Sequence, residues 1–237
     1  MSLHLLLTGA SRGIGRAIGA RLEREAGVRL VGQATAASGD LIAADFASPG
    51  AAPALWAEAL DRLDGRIDIV INNAGVFEAA PIDLADGDWA AAWARTLQIN
   101  LVAAAELCRL AVRHWQDRGS GGRIINVASR AAHRGDSADH WHYAASKAGL
   151  LGMTKSIARA YAADGIWAFA VCPGFTMTDA VGDTLSGPGG QRLLADIPLG
   201  RAALPDEVAE AVRFLALDAP PSMTGAVIDI NGASYVR

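Results

Sequence analysis

The chain has 237 residues, 51% of them hydrophobic, with 21 lysines and arginines set against 25 aspartates and glutamates. That much apolar material offsets chain entropy and excludes global disorder. A mildly acidic chain with no basic run interleaved with aromatics excludes nucleic acid as a partner.

The opening MSLHLLL carries neither a basic leader nor a cleavage pattern, and no apolar run reaches the length of a membrane span. A soluble, cytoplasmic protein with no membrane partner is expected. LHLLL (3–7) reads as a strand leading through TGASRGIG (8–15) into a helix that ends near Gly27. VRLVG (28–32) and LIAAD (41–45) are the next two strands, and QATAASGD between them is too short for a crossover helix. A helix over 51–63 precedes the strand IDIVIN (67–72), and a long helical segment runs from Trp89 to Trp115. RIINVA (123–128), a helix around Tyr143, the strand IWAFAVC (166–172), a helix from Pro205 and the strand AVIDI (226–230) complete the order. Alternating strands and helices predict one α/β domain over residues 1–237. The sheet is Rossmann-type, doubly wound, mainly parallel and seven-stranded, with helices on both faces and ligands beyond the carboxyl ends of its strands.

Four chemical-looking stretches fall at those ends: TGASRGIG, NNAG (72–75), NVAS (126–129) and CPGFTMT (172–178). Gly9, Gly13 and Gly15 occupy the first strand-to-helix turn in a GxxxGxG spacing. There they permit a tight turn and close approach of backbone N–H groups to a pyrophosphate. GASRG also matches the GxSxG elbow of a serine hydrolase. That reading fails because the last histidine is His142, far from the end of the chain, and no upstream strand supplies an oxyanion loop. In WHYAASKAG (141–149), Tyr143 and Lys147 lie one turn apart on the same helix face. An ammonium beside a phenol favours the phenolate. Bringing a tyrosine from about pH 10 toward neutrality takes about 4 kcal/mol of such interaction.

Taken together, TGASRGIG, NNAG, Asn100 in LQINL, Ser129 in IINVAS, YAASK and PGFTMT (173–178) resemble the short-chain dehydrogenase/reductase family over nearly the full length. The run PLGRAALPDEVAEAVRFLALD and the later MTGAVIDINGA extend the resemblance. It implies an oxidoreductase, an NAD(P)(H)-dependent carbonyl reductase or alcohol dehydrogenase, that interconverts a ketone or aldehyde and an alcohol by hydride transfer. Tyr143 would be the general acid/base, Lys147 would lower its pKa and bond the nicotinamide ribose, and Ser129 would polarise the carbonyl. Asn100 would help hold a water that links the lysine to solvent. Gly9, Ser11, Arg12, Gly13, Ile14 and Gly15 would take the pyrophosphate side. Asp45, Asn73, Ala74 and Gly75 would line the adenosine, and Pro173, Gly174, Thr176 and Thr178 would face the nicotinamide.

The cofactor preference rests on charge. GQATAASG (32–39) has no acid where NAD enzymes hold the ribose 2′-OH, and Arg12 is placed to pair with a 2′-phosphate, so NADP(H) is favoured over NAD(H). Asp40 is the residue that would reverse this. The alternatives are an NAD-dependent alcohol dehydrogenase of the same family and a non-catalytic nicotinamide-binding regulator. His140, His142, Asp136 and Asp139 crowd the loop before Tyr143, but no second cluster supports a metal, and none is expected. Cys108 and Cys172 form no metal-spaced pair and read as buried thiols in a reducing compartment. Ser129 and Tyr143 stand one residue farther apart than the family's commonest spacing, which requires a bulged loop, and Phe169 replaces a frequent Asn. Asp179 to Pro198 corresponds to the family's substrate lid. The apolar content of the helices at 89–115 and 143–162 predicts a homo-oligomer, a dimer or homotetramer as in the family. The glycine loop and YAASKAGLLG are similar to 3-oxoacyl-acyl-carrier-protein reductases, and the small-molecule substrate would be a carbonyl or alcohol.

Overall fold

The computed structural model describes residues 2–178 and 190–237. Seven strands pair in the order β3-β2-β1-β4-β5-β6-β7, every pair parallel. They are β1 (Leu3–Leu7), β2 (Val28–Ala34), β3 (Ile42–Ala43), β4 (Ile69–Asn72), β5 (Gly122–Val127), β6 (Ile166–Pro173) and β7 (Val227–Ile230). The chain starts in mid-sheet, winds outward to β3, then returns past β1 to wind the other way. Where the order reverses, β1 and β4 lie side by side and their carboxyl ends open a crevice between outgoing loops.

Both faces are covered, which explains the unbroken apolar character of the inner strands. On one face, α1 (Gly13–Leu22) and a late helix, α8 (Pro205–Leu217), bury Ile18, Leu22, Val212 and Leu215 against Leu5, Leu7, Ile125 and Phe169. Each such side chain contributes about 1.5–3 kcal/mol of burial. On the other face lie α2 (Ala51–Arg62), α4 (Ala103–Asp117) and α6 (Trp141–Tyr161), with Leu6, Val70, Ile124 and Ala168 beneath them. Phe169, at the family's frequent Asn position, is a fully buried core residue.

Several boundaries differ from the sequence reading. The expected strand 41–45 shrinks to two residues because Asp45 turns the chain, its Oδ1 accepting from Ala47 N at 3.0 Å. No helix separates β2 from β3, as expected. The long segment 89–115 is not one α-helix. It comprises α3 (Asp86–Leu97), a π-helical turn over Gln98–Val102, and α4. The α4 helix turns Leu107, Ala111, Val112 and Trp115 inward at helical spacing, and α6 does the same with Leu150, Leu151 and Ile157. The apolar surplus that suggested a subunit interface is therefore largely consumed within the monomer. Val102 and Trp141 are the large apolar residues exposed on these segments, among the described residues. No described helix is long and apolar enough to cross a membrane. The expected lid over 179–198 lies outside the described residues as far as 189, and its remainder begins with α7 (Gly190–Ala195).

Candidate active site

The crevice is built by four loops, each leaving the carboxyl end of a central strand. After β1, Gly9 and Gly13 take left-handed backbone, with φ of 66° and 53°, and Gly15 is buried in the first turn of α1. A Cβ on Gly15 would stand 1.9 Å from Gly9 O, so no larger residue fits while the loop keeps this shape. Arg12 is the N-cap of α1 and makes no side-chain capping bond. Among the described residues no side chain accepts from the first-turn N–H groups, and Ser11 and Arg12 are exposed beside them. This is an anion-binding arrangement.

The loop after β4 is stapled to the glycine turn. Thr8 Oγ1 accepts from Asn73 N and Ala74 N, both at 3.0 Å. Asn73 Nδ2 donates to Thr8 O at 3.0 Å and Gly9 O at 3.1 Å, so its amide serves the loop itself. Gln33, fully enclosed at the end of β2, accepts from Gly9 N at 2.8 Å and donates to Ala44 O at 2.6 Å. Neither Thr8 nor Gln33 stood among the expected site residues. The signal available was a polar residue ending an apolar strand. Asp45 is exposed two residues beyond the end of β3.

Asn100, Ser129, Tyr143 and Lys147 are gathered near the middle of the crevice. The π turn points the Asn100 side chain at the irregular segment after NNAG. Its Oδ1 accepts from Val76 N at 2.8 Å, and its Nδ2 donates to Val76 O at 3.0 Å and Ser146 Oγ at 3.2 Å. A Cβ placed on Gly75 would lie 3.3 Å from Asn100 Oδ1 and 3.4 Å from Lys147 Nζ, which brings NNAG, Asn100 and Lys147 together at one point. Thr178 meets the glycine loop from the opposite side. A Cβ on Gly13 would lie 3.1 Å from its methyl. Gly174 packs against Asn231 and donates its N–H to Ile230 O at 3.0 Å, which places Pro173 and Gly174 at the crevice floor beside β7. Thr176 is buried, its hydroxyl donating to Gly174 O at 3.3 Å.

The long Ser129-to-Tyr143 connection is absorbed by a single helical turn, α5 (Ala131–Arg134), closed by Gly135 at φ 78°. The Ser129 hydroxyl still reaches Tyr143, and its hydrogen bond pulls the phenol pKa down. Burial dominates, however, and leaves the phenol at about 12. Lys147 is pushed down to about 8 by burial. Its Nζ donates to Val127 O at 2.9 Å and sits 5.8 Å from the Tyr143 ring centre. The pair therefore shares a helix face as the spacing predicts, but the ammonium points at the strand and does not depress the phenol here. Phe77 meets Tyr143 edge-on at 4.8 Å and stacks on His140 at 3.8 Å. Together with exposed Trp141 and Met177 it gives the mouth an apolar character. Of the four loop residues weighed as metal ligands, His140 bonds Ser137 and His142 is buried beside Trp93.

Residues 9–233 match a family model described as enoyl-(acyl carrier protein) reductase. A 3-oxoacyl-(acyl-carrier-protein) reductase of Vibrio cholerae is 35% identical, over 98% of this chain and 96% of its own. An acetoacetyl-CoA reductase of Shinella zoogloeoides is 34% identical over 99% of both. Among solved structures, a 2-deoxy-D-gluconate 3-dehydrogenase from Agrobacterium tumefaciens, so described provisionally and with bound NADP, superposes with a TM-score of 0.85. It is 27% identical, over 99% of this chain and 97% of its own.

Proposed function

This chain belongs to the short-chain dehydrogenase/reductase family of oxidoreductases, and on that footing we propose that it interconverts a carbonyl compound and its alcohol with NADP(H). The observation that carries the reading is the meeting of Asn100 and Lys147 at Gly75, together with the hydrogen bond between Ser129 and Tyr143 one helical turn from that lysine. The residues present fit the nucleotide. Uncapped N–H groups at α1 suit the pyrophosphate, and exposed Arg12 suits a 2′-phosphate. The NADP in the Agrobacterium neighbour is in line with that choice. When bound, NADP(H) supplies or accepts the hydride.

In the reductive direction the substrate oxygen lies between the Ser129 and Tyr143 hydroxyls, and both donate to it. As negative charge grows on that oxygen, Tyr143 Oη surrenders its proton. A phenol held protonated at neutral pH is the donor this requires. Lys147, held on Val127 O, stabilises the phenolate it leaves behind only by turning its ammonium from that carbonyl toward the ring oxygen. In oxidation the same proton returns to Tyr143 Oη. Asn100 holds Val76 and Ser146, and so the walls on either side of Lys147. The apolar mouth around Phe77, Trp141 and Met177 favours a substrate whose carbonyl carries an apolar chain, with 3-oxoacyl thioesters the first class to screen. A cytoplasmic location and assembly into a dimer or homotetramer belong to the same reading.

The test pairs nucleotide titration with turnover. Tyr143→Phe keeps NADPH affinity and loses turnover by several orders of magnitude, and near-normal turnover sinks the proton-transfer role. Arg12→Ala weakens NADPH far more than NADH, and equal losses remove Arg12 from the 2′-phosphate.

A further inference from the structure

Beneath the Ser129 turn, near enough for Cys172 to act electrostatically on Tyr143 and Lys147, three side chains from three elements meet. Cys172 comes from the last turn of β6, His133 from α5, and Asp229 from the middle of β7. Cys172 Sγ and His133 Nε2 are 3.6 Å apart, His133 Nε2 and Asp229 Oδ1 are 4.0 Å apart, and all three atoms lie within 4.8 Å of one another. The supporting contacts orient the ligand atoms inward. Arg237 Nε donates to Asp229 Oδ2 at 3.0 Å, which leaves Oδ1 buried with no hydrogen-bond partner. Tyr235 stacks on the His133 ring at 5.4 Å, nearly parallel, and fixes its plane. A buried carboxylate oxygen without a donor costs about 1–3 kcal/mol, and nothing in the proposed reaction uses it.

The geometry points to a divalent-cation site of the zinc or cobalt class, bound by Cys172 Sγ, His133 Nε2 and Asp229 Oδ1. A tetrahedral ion with bonds of about 2.3 Å to sulfur and about 2.0 Å to nitrogen and oxygen needs ligand atoms roughly 3.3–3.6 Å apart. The sulfur–nitrogen pair already meets that spacing, and the carboxylate has to close by about 0.7 Å on the nitrogen and by up to about 1.3 Å on the sulfur. Thiolate, imidazole and carboxylate together select a borderline-soft ion over magnesium or calcium. On binding, the cation replaces the Cys172 thiol proton, which is released to solvent. Thiolate and carboxylate then balance the charge of the ion. A concavity of about 430 Å³, lined by Asp229, Asn231, Tyr235 and Arg237, adjoins the cluster on its Asp229 side. An ion held here ties α5, which starts two residues after Ser129, to β6 and β7. It braces the Ser129 turn without touching the reacting atoms.

The test is cobalt titration of the full-length protein after chelator treatment. One equivalent of Co²⁺ brings a near-ultraviolet thiolate-to-cobalt charge-transfer band and intense tetrahedral bands in the visible, both abolished by Zn²⁺. Cys172→Ser removes the charge-transfer band, and His133→Gln and Asp229→Asn each weaken binding at least about tenfold. Far-ultraviolet circular dichroism and NADPH binding verify the fold of each variant. Should Cys172→Ser fail to fold, the two partly exposed ligand positions decide. Unchanged cobalt affinity in both overturns the site. So does the absence of a charge-transfer band in the parent, or its survival in a folded Cys172→Ser protein, where Cys108 would be its source.

Discussion

Truncation of Asn100 to alanine removes three hydrogen bonds at once, to Val76 N at 2.8 Å, Val76 O at 3.0 Å and Ser146 Oγ at 3.2 Å. Each contributes about 1 kcal/mol net, and an orphaned buried partner costs more. Ser146 keeps its bond to Tyr143 O at 2.7 Å, and Val76 is only half-buried, so water relieves part of the loss. The balance is a destabilisation of about 2–3 kcal/mol, which in a chain of this size lowers Tm by roughly 5–10 °C. Asn100→Asp retains the acceptor for Val76 N but turns a carboxylate oxygen toward Val76 O. It should cost at least as much as alanine. Urea unfolding at fixed protein concentration, followed by tryptophan fluorescence, measures both. If Asn100→Ala lies within ~0.5 kcal/mol of the parent, Asn100 does not hold the segment around Val76.

Gly122→Ala places a methyl 2.1 Å from the ring of Trp115, which is itself fully buried and donates to Ile67 O at 2.7 Å. The ring cannot withdraw without losing that bond, so the variant loses about 3 kcal/mol or fails to accumulate in soluble form. An unchanged thermal midpoint would contradict this. Glu207 is held down to about 2 by Arg201 and by the Leu204 N–H it accepts at the start of α8. Because its folded pKa lies below the ordinary 4.5, its contribution is complete above about pH 4.5 and fades as the pH falls toward 2. The side chain is solvent-screened, so Glu207→Gln costs about 1 kcal/mol at neutral pH. The gap from the parent should narrow to less than half at pH 3 and close only near pH 2, and a gap that does not change with pH removes the linkage.

The order of elements and the position of the crevice were legible because they rest on periodicity. Short, mostly apolar runs such as LHLLL and RIINVA read as strands covered on both sides, and glycines that need left-handed backbone mark turns between elements. The spacing of Tyr143 and Lys147 was enough to place them on one helix face. Their electrostatics were not legible. Where Lys147 Nζ points depends on Val127 O, a strand apart in space, and the phenol's pKa depends on how deeply the fold buries it. The π turn likewise leaves no trace in composition, since the sequence of a long helix reads the same with or without one extra residue in a turn. Gln33 and Thr8 escaped notice because their roles are to satisfy backbone groups that only the assembled loops expose. His133, Cys172 and Asp229 are 96 residues apart from first to last, and only the parallel pairing of β6 with β7 and the turn of α5 bring their ligand atoms together. Local periodicity decided which elements form and in what order, whereas contacts between residues distant in the chain decided every distance in the site.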